Sequence, residues 1–287
     1  MNEDWHASAQ TLSKALPFLR RYANTTIVIK LGGHAMGSDQ AMTSFAKDIV
    51  LLRHVGLNPL VVHGGGPMID ETLAKFNVES EFINGMRVTD AATIEIVEMV
   101  LSGTINKRIV NAICQQGGKA IGLSGKDAAI ISCRRAQKEL GYVGTPEHID
   151  PTILLGLFDQ NIIPVMAPIG VGSAGETLNI NGDTSAGALA AAVKASRLLL
   201  LTDVPGVHSV DEELFSELSA TDVIKLIKRG VISGGMIPKT QTALEALQKG
   251  VPAVAILDGR VPHAVLLELF TEHGAGTLIR SDKPSTT

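Results

Sequence analysis

The sequence predicts an α/β sandwich around a mostly parallel sheet, and three observations carry that prediction. Apolar runs of strand length alternate with segments of helical periodicity from Thr26 onward. The two clearest strands, Thr26 to Leu31 and Asn58 to His63, end in glycine clusters instead of hairpin turns. Aromatic residues are only 3% of a chain that is 45% hydrophobic, a poor composition for an all-β sandwich or a base-stacking RNA module. At about 150 residues per domain, 287 residues correspond to roughly two domains or one large α/β domain.

Taken in order, residues 5–19 place Trp5, Ala9, Leu12, Leu16 and Leu19 on one helix face, with Pro17 expected to kink the last turns. That face packs on its own domain or, as the position of the chain's one tryptophan favours, docks as an arm on another subunit. After the first strand, residues 39–54 read as a helix, and after the second a helix runs to about Phe76. Further strands are expected at 120–123, 162–167, 197–201 and 253–257, and helices at 91–116, 184–195, 220–228, 239–249 and 263–271. A boundary near residues 190–197 divides the chain into an arm (1–24), an N-terminal lobe (25–195) and a C-terminal lobe (196–287).

Several function classes fall away. Lys+Arg 25 against Asp+Glu 29 gives a net charge of −4, with no basic excess for a nucleic acid or a membrane surface. Two cysteines, Cys114 and Cys133, make neither a disulfide framework nor a metal spacing, so a cytoplasmic chain is expected, and no protein metal site. The longest uncharged apolar run, residues 161–175, is too short and too rich in proline and glycine to span a membrane, and the acidic start is unlike a signal peptide. Gly170 to Gly175 satisfies G-x-G-x-x-G, but no helix follows to receive a pyrophosphate, so it reads as a turn. Gly125-Lys126 is followed by Asp127, so there is no P-loop.

What remains is a set of anion-handling residues. Lys30 interrupts an apolar strand one residue before its end, where burial is costly unless an anion is met. Gly32 and Gly33 open the backbone at that mouth, and Gly64, Gly65 and Gly66 form a strand-to-helix turn whose amides attract negative charge. Arg87 is suited to a forked bond with a carboxylate. Asn179, Asn181 and Asp183 alternate onto one face before a helix expected from Thr184; Asp183 is either a plain N-cap or a bridging carboxylate. Lys239 follows Gly234-Gly235 at a helix start, where a cation opposes the dipole unless an anion is bound. The set contains two lysines, amide clusters, one arginine and one aspartate, with no obvious general base. It suits phosphoryl transfer to an acceptor already ionised at neutral pH, such as a carboxylate.

These segments, together with Thr202 to Val207, make the chain resemble the amino-acid kinase family, in particular its members acting on N-acetyl-L-glutamate, from about Thr26 to Ile279. The His-Gly-Gly-Gly turn joined to Gly-Met-Arg-Val-Thr is the most specific part. The resemblance implies a three-layer α/β/α sandwich with an N-terminal acceptor lobe and a C-terminal nucleotide lobe. It implies that Lys30 and Lys239 stabilise the transferring phosphoryl group and that Asp183 organises both lysines. Gly65, Gly66, Arg87 and Asn179 would hold N-acetylglutamate; Gly32, Gly33, Asp203, Gly206, Val207 and Ser233 would lie at ATP, with Mg2+ on its phosphates. The implied reaction makes N-acetylglutamyl 5-phosphate, a step of arginine biosynthesis. Arginine-inhibited members share the kinked arm, which builds a hexamer from three dimers, and an effector region matching Tyr22, Glu268 and Gly274; some relatives bind a PII-type signalling protein. Departures are Ala255, where arginine-inhibited members often carry histidine, Gly182, where alanine is commoner, and a short segment from 133 to 144. A kinase acting on glutamate or aspartate and a catalytically silent arginine sensor are the alternatives.

Overall fold

The computed structural model describes residues 3–32, 36–83 and 85–282, without the side chains of residues 3–9, 11 and 12. Gly33, Asn84 and the side chain of Trp5 therefore lie outside the described residues. In chain order the elements begin α1 (Glu3–Tyr22), β1 (Thr26–Leu31), α2 (Asp39–His54), β2 (Asn58–His63), α3 (Gly66–Lys75), β3 (Phe82–Ile83), β4 (Met86–Arg87) and α4 (Ala91–Glu98). A π-helical segment (Met99–Ile105) leads into α5 (Asn106–Gln115), followed by β5 (Ala120–Ser124), β6 (Ile131–Arg135), β7 (Gly144–Ile149), α6 (Thr152–Asp159), β8 (Ile163–Ala167), β9 (Ile169–Val171) and β10 (Thr177–Asn179). The remainder is α7 (Gly182–Ala192), β11 (Arg197–Thr202), β12 (Glu217–Ser219), α8 (Ala220–Lys228), α9 (Met236–Gln248), β13 (Ala253–Asp258), α10 (Ala264–Phe270) and β14 (Gly276–Arg280).

The expected sandwich is present. Eight strands form one sheet in the order β12-β14-β13-β11-β1-β2-β8-β5, parallel throughout except for the β13–β14 pair. The sheet is continuous through β1 and β11, so the expected lobe boundary near residue 195 falls between two elements of one structure. Successive residues of β1 feed opposite faces, as the two-residue repeat of a strand requires. Ile27, Ile29 and Leu31 enter the core beneath α2 and α5, whereas Val28 enters the core on the α7 and α9 side. Lys30 takes the next place in the Val28 row, so the alternation itself delivers its side chain to the layer that contains α7.

Local chemistry explains the helix starts. Ser38 caps α2 through Ala41 N–H, Asp90 caps α4 through Thr93 N–H, and Ser219 with Asp222 forms a capping box on α8. Asn181, not Asp183, caps α7, accepting from Asp183 N–H and Thr184 N–H. Several details differ from the sequence reading, among them α6, β12 and β14, which it did not expect. The helix expected over 91–116 is two α-helices joined by a π segment, and α1 runs through Pro17 to Tyr22. Two small sheets, β10-β9-β6-β7 and the β3–β4 hairpin, had no apolar run long enough to announce them. Gly172 to Gly175 is the turn between the antiparallel strands β9 and β10, as expected for a glycine motif without a following helix.

Candidate functional site

The C-terminal ends of β1 and β2 lie side by side, Leu31 opposite His63, and the chain leaves both through glycine. Gly32 continues the ladder by donating its N–H to the Leu201 carbonyl at 3.0 Å, and a β-carbon there would meet that oxygen at 2.7 Å. Its amide is thus committed to the sheet; the residue is glycine because β11 passes so close. Gly64 N–H likewise donates to the Leu31 carbonyl at 2.9 Å. The amides of Gly65 and Gly66 find no acceptor among the described residues and stand at the N-terminus of α3, where a helix dipole favours an anion. A β-carbon on Gly65 would lie 2.5 Å from Ile105 Cδ1 and 2.7 Å from Leu101 Cδ2, whereas one on Gly66 would meet nothing within 4 Å. The π segment therefore presses on one glycine and leaves the other facing a cavity.

Beneath the turn, His63 is fully buried. Its Nδ1–H donates to the Gly64 carbonyl at 2.9 Å, and its Nε2 receives Asn106 Nδ2–H at 3.3 Å. Burial pushes the imidazole down to about 4, so it is a neutral post, not a base at neutral pH.

The cavity holds about 420 Å³ and is lined by Lys30, Gly64, Gly65, Gly66, Phe82, Arg87, Leu101, Asn179, Asp183 and Lys239. Asp183, in the first turn of α7, lies between the two lysines. Lys239 Nζ donates to Oδ2 at 3.1 Å, and Lys30 Nζ is 2.8 Å from Oδ1, a charge contact without hydrogen-bond alignment. Burial raises the Asp183 carboxyl, but the two ammonium groups outweigh it and hold it below the ordinary carboxylate range. Their formal charge, two positive against one negative, leaves one positive charge facing the cavity. Gly182 also borders this triad: an added β-carbon would lie 3.3 Å from Lys30 Cε, so an alanine there would need only a small adjustment.

Arg87 is 7% exposed, and its guanidinium is already steered. Nη1 donates to Asp70 Oδ1 at 2.6 Å and to Ser80 Oγ, Nη2 lies 3.5 Å from the Gly66 carbonyl, and the plane sits 4.6 Å over the Phe82 ring. The expected forked bond is thus half occupied by the chain's own carboxylate, leaving Nη2 as the outward donor. Asn179 donates its Nδ2–H to Thr89 Oγ1 at 3.3 Å. Sequence reasoning found the polar residues but missed Asp70, Ser80 and Thr89, which hold them, and the apolar lining of Ile69, Phe82, Leu101, Val143 and Ile180. A carboxylate one helical turn past the glycine cluster was the only available signal for Asp70.

The described nucleotide candidates do not line this cavity. Asp203 directly follows β11 and accepts Thr202 Oγ1–H at 3.1 Å. Gly206 approaches Thr277 so closely that a β-carbon would sit 2.5 Å from its hydroxyl, and Val207 N–H donates to that hydroxyl at 2.8 Å. Ser233 is exposed in the turn before α9, whose first turn carries Lys239. Tyr22, Glu268 and Gly274 meet in a separate cavity of about 260 Å³ with Arg21, Arg197 and Arg280. No cluster of His, Cys, Asp and Glu that could hold a metal occurs among the described residues, and both oxygens of Asp183 face lysines. No described helix is long and apolar enough to cross a membrane.

The profile of the Amino acid kinase family matches residues 25–258. The acetylglutamate kinase of Ruegeria pomeroyi is 63% identical over 282 residues, covering 98% of each chain. Among solved structures, the N-acetylglutamate synthase of Neisseria gonorrhoeae complexed with coenzyme A and N-acetyl-glutamate superposes with a TM-score of 0.87 at 25% identity, covering 96% of this chain and 64% of the synthase. The same synthase complexed with coenzyme A and L-arginine gives 0.84 at 26% identity, covering 95% of this chain and 65% of that one. This chain thus spans a little under two thirds of the synthase's length.

Proposed function

The chain belongs to the amino acid kinase family, and from that premise we propose that it transfers the γ-phosphate of ATP to the side-chain carboxylate of N-acetyl-L-glutamate, forming N-acetylglutamyl 5-phosphate for arginine biosynthesis. The observation that carries the reading is Asp183 held between Lys30 and Lys239 in a cavity that is also lined by Arg87, Asn179 and Gly65 and Gly66, whose amides find no acceptor among the described residues. Such a site binds an acceptor with two carboxylates. Arg87 Nη2 takes one, and the glycine amides bring the other beside the lysines, whose charge opposes the negative charge shifting across the transferring group. No base is required because the acceptor is ionised at neutral pH. Mg2+ would be carried by the nucleotide phosphates, where it neutralises charge; the carboxylate in the cluster is already engaged by lysines. ATP would lie at Gly32, Asp203, Gly206, Val207 and Ser233, and Gly33, which is outside the described residues, keeps its expected place at the nucleotide.

Incubation with ATP and N-acetylglutamate, with hydroxylamine trapping of the acyl phosphate, tests the reading. Trapped product is expected with the acetylated substrate and not with glutamate or aspartate. Equal turnover of unacetylated glutamate would reassign the chain to another branch of the family, and no product with any of the three would leave the silent sensor. The cavity around Tyr22, Glu268 and Gly274 offers the half-buried Glu268 carboxylate, with Glu217 and Glu272, to a guanidinium ligand, which supports L-arginine as inhibitor. Glu268→Gln is expected to weaken any such inhibition at least tenfold. The last turn of α1 is anchored in its own subunit through Tyr22, while Leu16 is 44% exposed, which supports an arm that continues to a neighbouring subunit in a hexamer.

A further inference from the structure

Arg87 and Asn179 come from different sheets, β4 and β10, yet they must present their groups to one small acceptor. We infer that Thr89 is the positioning residue that fixes them relative to one another, an assignment that rests on the reading of Arg87 and Asn179 as acceptor-binding groups.

Thr89 is fully buried, and each of its polar atoms is used. Its N–H donates to the Leu140 carbonyl at 3.0 Å, and its carbonyl accepts Tyr142 N–H at 2.6 Å. Its hydroxyl donates to the Arg87 carbonyl at 3.0 Å and accepts Asn179 Nδ2–H at 3.3 Å. The Tyr142 carbonyl then accepts Asn179 N–H at 2.8 Å, closing a ring of bonds through three separate segments. Gly141 is the contact that permits this closeness. It has φ +69°, and a β-carbon there would lie 2.3 Å from the Thr89 carbonyl oxygen.

The hydroxyl's chemistry sets the direction of the Asn179 amide. Its one hydrogen goes to the Arg87 carbonyl, so towards Asn179 it can only accept. Nδ2 is therefore turned to Thr89, and Oδ1 with the second N–H is left for the cavity. Valine keeps the branched shape of threonine but can neither donate nor accept, so the amide loses its reference and the Arg87 carbonyl its donor. Serine keeps both bonds. Nothing in this ring touches Lys30 or Lys239, so its loss acts on acceptor binding and spares the chemical step.

Steady-state kinetics of the full chain carrying Thr89→Val, Thr89→Ser, Asn179→Ala, and Thr89→Val combined with Asn179→Ala tests this. Thr89→Val is expected to raise KM for N-acetylglutamate about five- to tenfold, as one lost hydrogen bond of ordinary strength implies, with kcat and KM for ATP within twofold. Thr89→Ser is expected to stay within twofold of the parent throughout. On the Asn179→Ala background the valine substitution is expected to add less than twofold, because the group it positions is gone. If the valine variant does not fold, Thr89→Ala is read in its place with the same expectation. The assignment is overturned by an unchanged KM in the valine variant, by an equal rise in both KM values that serine does not rescue, or by full multiplication of the two single effects. A parent protein that makes no acyl phosphate from N-acetylglutamate removes the functional reading itself, whereas an active parent with an indifferent Thr89 removes the positioning role alone.

Discussion

Lys30 stands in a strand otherwise made of Thr, Ile, Val and Leu, and only 8% of it is exposed. An isolated ammonium so placed would cost several kcal/mol, and Asp183 at 2.8 Å offsets that cost while sharing itself with Lys239. The pairing has a kinetic consequence. Lys30→Ala and Lys239→Ala are each expected to lower kcat by about 10²- to 10³-fold, with either KM changed only a few-fold, because their charge acts on the transferring group. Initial-rate kinetics checks this, and near-normal turnover in either variant would remove the role. Lys30 was legible in the sequence because a charge inside an apolar strand has few benign explanations. The fixing of Arg87 by Asp70, Ser80 and Phe82 was not, since those contacts bridge α3, the following loop and the β3–β4 hairpin without any spacing rule.

At the scale of elements, apolar strands and capped helices were readable, whereas strands without an apolar run, such as β7, were not. β1, β2, α2 and α8 have the expected bounds because each combines an apolar pattern with a clear start or stop. β9 and β10 have three residues apiece, held by pairing with distant segments, and such pairing leaves no periodicity to read. Gly141 gives this scale its own prediction. Gly141→Ala forces a positive φ on alanine and drives a β-carbon against Thr89, so unfolding stability is expected to fall by about 1–3 kcal/mol, visible as a lower Tm. An unchanged Tm would mean the turn can shift without penalty. For α1, deletion of residues 1–24 is expected to leave a folded kinase while dissolving the largest assembly in sedimentation velocity. The truncation also removes Arg21 and Tyr22 from the cavity they line with Arg197, so any arginine inhibition should weaken in parallel.

For the whole molecule, the central sheet binds the two halves, since β1 pairs with β2 on one side and β11 on the other. The buried His63 links acid stability to this arrangement. Its folded value of about 4 lies below the ordinary 6.5, so the neutral form is the one the fold accepts. As pH falls from 6.5 towards 4 the unfolded chain takes up a proton that the folded chain refuses. Stability is therefore expected to drop across that window by up to roughly 3 kcal/mol, with no further loss from this group below it. Urea unfolding at stepped pH measures the slope, and His63→Gln is expected to flatten it. A parent and variant with parallel profiles would contradict the assignment. Asp183 adds a separate loss at lower pH: its depressed carboxyl stabilises the fold above the unfolded carboxylate value, and that contribution disappears as pH falls through the folded one.

The amino-acid sequence by itself determined the α/β class, the main strands and helices, and the chemical kind of the site. Apolar alternation, caps, glycine turns and a misplaced lysine are local signals that follow from backbone geometry and the cost of burying charge. Only the tertiary structure decided which residues meet. It set both lysines on one carboxylate, committed the Gly32 amide to β11 while leaving those of Gly65 and Gly66 without an acceptor among the described residues, and tied Arg87 to Asn179 through Thr89. Such partnerships join segments tens of residues apart, and distance in space between them is fixed by sheet order and helix packing, which no local pattern encodes.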